Sequence, residues 1–182
     1  MKNKEVFIEK AGKLGYVYEA KYHGCAQCTI IGIFDALGIT NPLVVKAGTA
    51  LGAGGGKMCD GVCGGYSGGM MAMSSIFGRR QSDMDGDVEE KTSSNRMAQD
   101  LHLNFIDKYD SVICKELHMK IFGRKYDLNC DEDIKQFEAD GAHDDKCTSV
   151  VQFAAETATA LIIDEAERRG LTIEELRKKI WF

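Results

Sequence analysis

Apolar residues in this chain recur at helical intervals and almost nowhere at the two-residue interval of a strand. Phe7, Ala11, Leu14 and Tyr18 share one face of a first helix. Ile30, Ile33, Phe34 and Leu37 do the same in a second, with Gly38 as its stop signal. Asn41-Pro42 opens a third, an N-cap followed by proline at the first helical position. Pro42 is the one proline among 182 residues, so little else interrupts helix formation. A fourth helix, rich in Gly and Met, is predicted from about Val62 to Phe77. Met97, Leu101, Phe105 and Tyr109 mark a fifth, and Cys114, Leu117 and Ile121 a sixth. The longest is predicted from about Asp145 to Arg169, stopping at Gly170; Thr172-Ile173-Glu174-Glu175 is a capping box for a short last one. Residues 52–56 (Gly-Ala-Gly-Gly-Gly) read as a flexible turn, 78–92 as a polar surface loop, and 127–146 as acidic and irregular, with a short helix around Ile134. The expectation is an all-α, single-domain helical bundle over residues 1–182, with a glycine-rich turn.

A chain of this length buries a core without disulfide staples. Its formal net charge of −5 and the lack of a clustered basic patch exclude nucleic acid as a partner. Arg177, Lys178 and Lys179 read as a solvated helix end that complements the helix dipole. Charges interrupt every apolar stretch of the N-terminus, and no segment is apolar for long enough to span a bilayer. The expectation is a protein without a membrane segment, located in the cytoplasm.

In a reducing compartment, seven cysteines are better explained by metal or redox chemistry than by disulfides. Cys25 and Cys28 form a C-x-x-C at a helix start, and Cys59 and Cys63 a C-x-x-x-C at the entry to another. Cys114 and Cys147 also lie near helix starts, on the side of the apolar faces that follow them, toward the bundle interior. Exposed N–H groups at helix starts favour thiolate over thiol, so low thiol pKa values are expected there. Cys130 stands apart in the acidic segment. Spacing alone leaves the ligand set open: Cys25, Cys28, Cys59 and Cys63 already supply enough thiolates locally.

A family resemblance covers roughly residues 11–165. Gly24-Cys25-Ala26-Gln27 resembles the opening of the redox-active C-GCAxxG-C-C family. Cys63-Gly64-Gly65-Tyr66-Ser67-Gly68 is similar to that family's C-G-A-x-x-G element, with Gly65 in place of alanine. Cys114-Lys115-Glu116-Leu117 resembles its C-R-E-L step, and Cys147 with Val150, Val151, Ala154 and Ala155 its last cysteine helix. The family in turn resembles the cluster-bearing part of split-Soret cytochromes c. The resemblance implies an iron–sulfur cluster, [2Fe-2S] or [4Fe-4S], on Cys25, Cys63, Cys114 and Cys147; Cys28, Cys59 and Cys130 are extra to the family pattern, and Cys28 and Cys59 stay further candidate ligands by spacing alone. It also implies a homodimer that exchanges electrons with a redox partner protein, in electron transfer or redox sensing. No C-x-x-C-H is present, so covalent haem of that type is not expected. The rival readings are a thiol–disulfide oxidoreductase using Cys25 and Cys28, against which the missing βαβ pattern counts, and a structural zinc protein, which a chain with its own core does not need to be.

The run Gly52–Met58 fails as a phosphate loop, because Leu51 occupies the first glycine position and Met58 that of the Ser/Thr. It reads equally as a plain turn or as backbone brought close enough to donate N–H bonds to sulfur. Met70, Met71 and Met73 read as core filler. Of the four histidines, His23 adjoins the first cysteine pair and could tune it, while His102, His118 and His143 are scattered.

Overall fold

The computed structural model describes residues 4–178. Within them the chain forms nine α-helices: α1 (Lys4–Tyr22), α2 (Cys25–Leu37), α3 (Pro42–Ala47), α4 (Gly64–Phe77), α5 (Val88–Tyr109), α6 (Cys114–Phe122), α7 (Asp131–Ala139), α8 (Cys147–Arg168) and α9 (Ile173–Lys178). No strand occurs among the described residues; one isolated antiparallel bridge joins Val62 to Ile113. α8 runs through the middle of the bundle, packed against α1, α2, α4 and α5. The core between them holds Ile30, Ile33, Phe77, Leu101, Phe105 and Ile162, all fully covered. Met73 is buried and Met70 and Met71 pack against the same core, as their spacing predicts.

Local signals explain most helix ends. Asn41 accepts a hydrogen bond from Val44 N at 3.2 Å, and the Thr172–Glu175 capping box forms with both of its bonds. Arg177 does more than sit in solvent: its Nε donates to the Leu37 carbonyl at 2.8 Å, satisfying an open acceptor at the end of α2. Lys179 lies outside the described residues.

The tightest packing is made by glycines. A Cβ on Gly32 of α2 would lie 2.8 Å from Gly15 N of α1. The glycines of α4 form two stripes. Gly64 and Gly68 face α2, where a Cβ on Gly68 would come within 2.5 Å of the Ala26 carbonyl oxygen; Gly65 and Gly69 face Ala154 and Ala158 of α8. The buried face of α1 is rotated from the expected one. Ala11, Gly12, Gly15 and Glu19 are covered, because close helix approach selects small side chains over the larger Phe7 and Leu14, which remain partly buried.

Three segments differ from expectation. The fourth helix starts at Gly64, since Val62 is held in the bridge to Ile113. Residues 88–92 belong to α5 rather than to a loop, and Asp87 ahead of them is buried and bonded to Arg80 through its backbone N, Nε and a terminal nitrogen. The segment before α8 is a π-helical turn, Ala142–Lys146, so α8 itself begins at Cys147.

Candidate functional site

Four helix starts converge on one cavity of about 550 Å³. Cys25 is the first residue of α2, Cys63 the N-cap of α4, Cys114 the first residue of α6 and Cys147 the first of α8; all four line the cavity. Its remaining wall is largely apolar, with Leu117, Ile121, Phe137, Val150 and Val151. Its charged and imidazole groups are Glu19, His23, Glu138, His143, Lys57 and His118.

Two loops hold the cysteines together. Cys63 N donates to Val112 O (2.7 Å), Cys114 N to Gly61 O (3.0 Å) and Lys115 N to Cys59 O (2.7 Å), with the Val62–Ile113 bridge between them. These bonds satisfy N–H groups at the start of α6 and fix the two cysteine loops against each other. The glycine-rich run is not a loose turn. Residues Thr49–Gly54 form a 3-10 turn, and the chain then passes through left-handed backbone at Ala53, Gly54, Gly55, Gly56, Lys57 and Cys59. Non-glycine residues in that region store about 1 kcal/mol or more each, and Ala53, Lys57 and Cys59 all lie in this strap beside the cavity. Its geometry brings Ala53 N–H to Cys25 Sγ at 3.4 Å, so the sulfur-donating reading of the run holds.

The remaining cysteines differ from one another. Cys28 is buried but does not line the cavity; its thiol is hydrogen-bonded to the buried Glu19 carboxyl. The local four-cysteine set is therefore not brought together. Cys130 caps α7 and donates to Glu132 at 3.2 Å, away from the cavity. Cys59 is buried beside Cys114, with which it shares a hydrogen bond.

Burial, not the helix dipole, sets the protonation of these thiols, which overturns the expected low pKa values. Loss of water raises Cys25 and Cys147 well above the ordinary thiol range and pushes Cys63 up to about 11. Burial and Glu19 push Cys28 up to about 12. The pair Cys59–Cys114 splits: Cys114 is raised by its hydrogen bond to Cys59 and by burial, and Cys59 is lowered because Cys114 donates to it. A helix start contributes fractions of a kilocalorie within its first turn, up to about 2 kcal/mol at best, whereas desolvating an anion costs several. With no cation present, the folded cavity holds neutral thiols.

The mouth of the cavity is polar. His23, in left-handed backbone, stacks on His143 with ring centroids 3.7 Å apart. His143 Nδ1 lies 2.8 Å from Glu138 and its Nε2 3.8 Å from Glu19. Burial raises the Glu19 carboxyl, which accepts from Gly24 N at 3.0 Å. His118 was not distinguishable in sequence from the other histidines. It is 2% exposed, and burial lowers its imidazole to about 4, so the ring is neutral. Its spacing of four from Cys114 was the available signal, because it puts both on one helix face. His102 packs edge-on to Tyr66 and does not line the cavity.

Among the described residues no helix is long and apolar enough to cross a membrane. No curated protein and no solved structure matches the chain. A family model does: residues 23–161 match the one described as "Putative redox-active protein (C_GCAxxG_C_C)". That span contains every cysteine that lines the cavity, and on it the chain belongs to the C_GCAxxG_C_C family of redox-active proteins.

Proposed function

We propose that the chain is an iron–sulfur redox protein whose cluster is held by Cys25, Cys63, Cys114 and Cys147, and that it passes electrons to a partner protein or senses redox state. The observation that carries this reading is the convergence of these four thiols, from four separate helix starts, on one cavity. The donor set fits the group. Thiolates are the usual ligands of iron–sulfur clusters, and a cavity of about 550 Å³ is far larger than a single four-coordinate zinc ion requires. A cluster bound there supplies a one-electron couple.

The chain's own residues tune and shield that couple. Ala53 and Ala26 N–H groups donate to Cys25 sulfur, and Gly65 and Tyr66 N–H groups to Cys63. Such bonds stabilise negative charge on sulfur and so favour the reduced state. The apolar wall of Leu117, Val150 and Val151 keeps water from the thiolates. Binding displaces the protons that the buried thiols carry, so assembly releases protons and strengthens as pH rises. The dithiol rival has less support, because the Cys28 thiol is engaged by Glu19 rather than lining the cavity. The family resemblance also favours a homodimer, which light scattering on the cluster-loaded protein tests.

The deciding experiment is the visible spectrum with iron and acid-labile sulfide content of anaerobically purified protein and of single cysteine variants. Brown protein is expected, with loss of iron in Cys63→Ala, Cys114→Ala and Cys147→Ala and retention in Cys130→Ala. Colourless protein that stays iron-free after reconstitution yet takes up stoichiometric zinc would reject the reading.

A further inference from the structure

Cys59 has no counterpart in the family pattern, yet it is 3% exposed and built into the site. Together with Cys114 and His118 it forms a wholly buried group whose ligand atoms all lie within 4.8 Å of one another. The group crosses two elements. Cys114 and His118 stand one turn apart on α6, and Cys59 is delivered by the strap. Left-handed backbone at Cys59 (φ 60°), the Cys59 N to Ala53 O bond (2.9 Å) and the Lys115 N to Cys59 O bond hold it there.

The spacing is that of a metal site. Cys114 Sγ and His118 Nε2 are 3.5 Å apart. A tetrahedral ion with bonds of about 2.3 Å to sulfur and about 2.05 Å to nitrogen separates those two atoms by about 3.6 Å. A second, independent observation concerns the imidazole itself. Nδ1 of His118 is buried and has no hydrogen-bond partner among the described residues, and Nε2 has only the thiol. The ring is boxed by Phe122, Tyr126 and Phe137, with centroids 5.2 to 5.7 Å away. Among the described residues no carboxylate or carbonyl oxygen engages it, in contrast to His143. A buried neutral imidazole whose Nε2 faces only sulfur is a ready ligand for a thiophilic cation at that nitrogen.

We propose that Cys59, Cys114 and His118 bind a thiophilic divalent cation of the zinc class, with the fourth coordination position facing the cavity. Cys114 and His118 both line that cavity, so the open position is reachable by water or a small ligand. In cluster-free protein binding exchanges the Cys59 and Cys114 thiol protons for one dication and leaves the site neutral; in cluster-loaded protein Cys114 is already a thiolate and only the Cys59 proton is released. Cys114 is shared with the four-thiol set, and to that extent the proposal rests on the cluster reading: where both groups are present, its thiolate serves both.

The test uses Co²⁺ as probe, added anaerobically to reconstituted full-length protein, with Zn²⁺ as competitor and iron content measured on the same samples. Wild type is expected to bind one Co²⁺ per chain, with intense tetrahedral d–d bands and sulfur-to-cobalt charge transfer that Zn²⁺ abolishes. Cys59→Ser and His118→Gln are expected to lose that equivalent, at least 100-fold in affinity, while keeping iron; Cys130→Ser keeps both. Cys59→Ser is nearly isosteric, so it carries the test if His118→Gln fails to fold. If wild type takes up no iron but still binds a Co²⁺ that Cys59→Ser loses, the cluster reading falls and this site stands. The proposal is overturned if both variants bind Co²⁺ like wild type, if the spectrum is weak and octahedral, or if Cys59→Ser loses iron, which would make Cys59 a cluster ligand instead.

Discussion

The two glycine stripes of α4 make a sharp prediction, because Gly65 and Gly68, three residues apart, should respond to the same substitution in opposite senses. An alanine Cβ at Gly65 would sit 3.4 Å from Ala154 Cβ and 3.6 Å from Val150 O, which is ordinary contact. Gly65→Ala removes backbone freedom from the unfolded chain and buries a methyl group. Those effects are each worth up to about 0.8–1 kcal/mol, reduced at the second residue of a helix, so a net gain of about 1 kcal/mol is expected. At Gly68 the same Cβ would lie 2.5 Å from the Ala26 carbonyl oxygen and 3.0 Å from its Cα. Both are backbone atoms of α2, so no side chain can step aside, and the helices must part by about 0.7 Å to reach a tolerable contact. Overpacking of this kind costs about 1–3 kcal/mol. After the helix-propensity gain, Gly68→Ala should lose up to about 2 kcal/mol. For a chain of this size, about 1 kcal/mol moves Tm by about 2–4 °C. Thermal melts of the anaerobic protein should place Gly65→Ala a few degrees above wild type and Gly68→Ala a few degrees below. Gly64→Ala differs again, since its Cβ would fall 2.2 Å from Cys25 Sγ. It should abolish iron uptake out of proportion to its change in Tm. Equal destabilisation by Gly65→Ala and Gly68→Ala would refute the interhelical spacing argued here.

Further outcomes follow from the buried charges. Burial alone would raise the Glu165 carboxyl, but Arg168, Arg169 and Ser93 outweigh it and hold it well below the usual carboxylate range. That stability is present above about pH 4.5 and is lost as pH falls further, so Glu165→Gln should flatten the acid limb of an acid-unfolding curve; an unchanged limb contradicts it. At neutral pH the same variant strips the partner from a charge network and should cost about 3 kcal/mol by urea unfolding. The raised thiols act in the other direction: metal-free protein keeps full stability below the unfolded thiol pKa of about 8.5 and loses it as pH rises toward the folded values, about 11 for Cys63 and about 12 for Cys28. Melts at pH 7.5 and 9.5 should show that loss in wild type and less of it in Cys28→Ala. Cys130→Ala should leave Tm and iron content unchanged, since its thiol donates to the exposed Glu132 and does not line the cavity; a loss of iron there would move the ligand set.

Helix existence was legible wherever local chemistry and the apolar period agreed. Asn41-Pro42 and Thr172-x-x-Glu175 form the caps their residue types specify, and Leu101, Phe105 and Tyr109 are buried together. Tertiary contacts decided what could not be read. Residue spacing on α1 could not reveal that α2 and α8 approach closely enough to select Ala11, Gly12 and Gly15 over Phe7 and Leu14. Nor could a glycine-rich run disclose left-handed backbone at Ala53, Lys57 and Cys59, because the strap is held by contacts distant in sequence, Ala53 N to Cys25 Sγ and Lys115 N to Cys59 O. Motif residues Cys25, Cys63, Cys114 and Cys147 were named from the sequence, and the structure puts them around one cavity. Cys28 was separated from them only by the orientation of one helix turn toward Glu19, which spacing does not encode.

The helix starts and the burial of the thiols act against each other, and the balance decides when the site can load. N–H donors such as those of Ala53 and Gly65 stabilise sulfur anions, yet the apolar wall and neighbouring thiols make several anions in one cavity more expensive still. With no cation the chain resolves the conflict by keeping the cavity-lining thiols protonated; its core centres on Phe77, Phe105 and Ile162, which lie outside the cavity wall, and meets that wall at Cys63, Leu117 and Val150. Metal-free protein is therefore expected to stay helical, unlike a zinc finger; far-UV circular dichroism of the metal-stripped protein checks this. A cation reverses the balance, because its charge repays the desolvation of several thiolates at once and the preset N–H donors then act with it rather than against burial. On the proposed cluster reading, the same apolar walls of Leu117, Val150 and Val151 hold the bound group dry, and the four thiols favour a multiply charged, thiophilic centre.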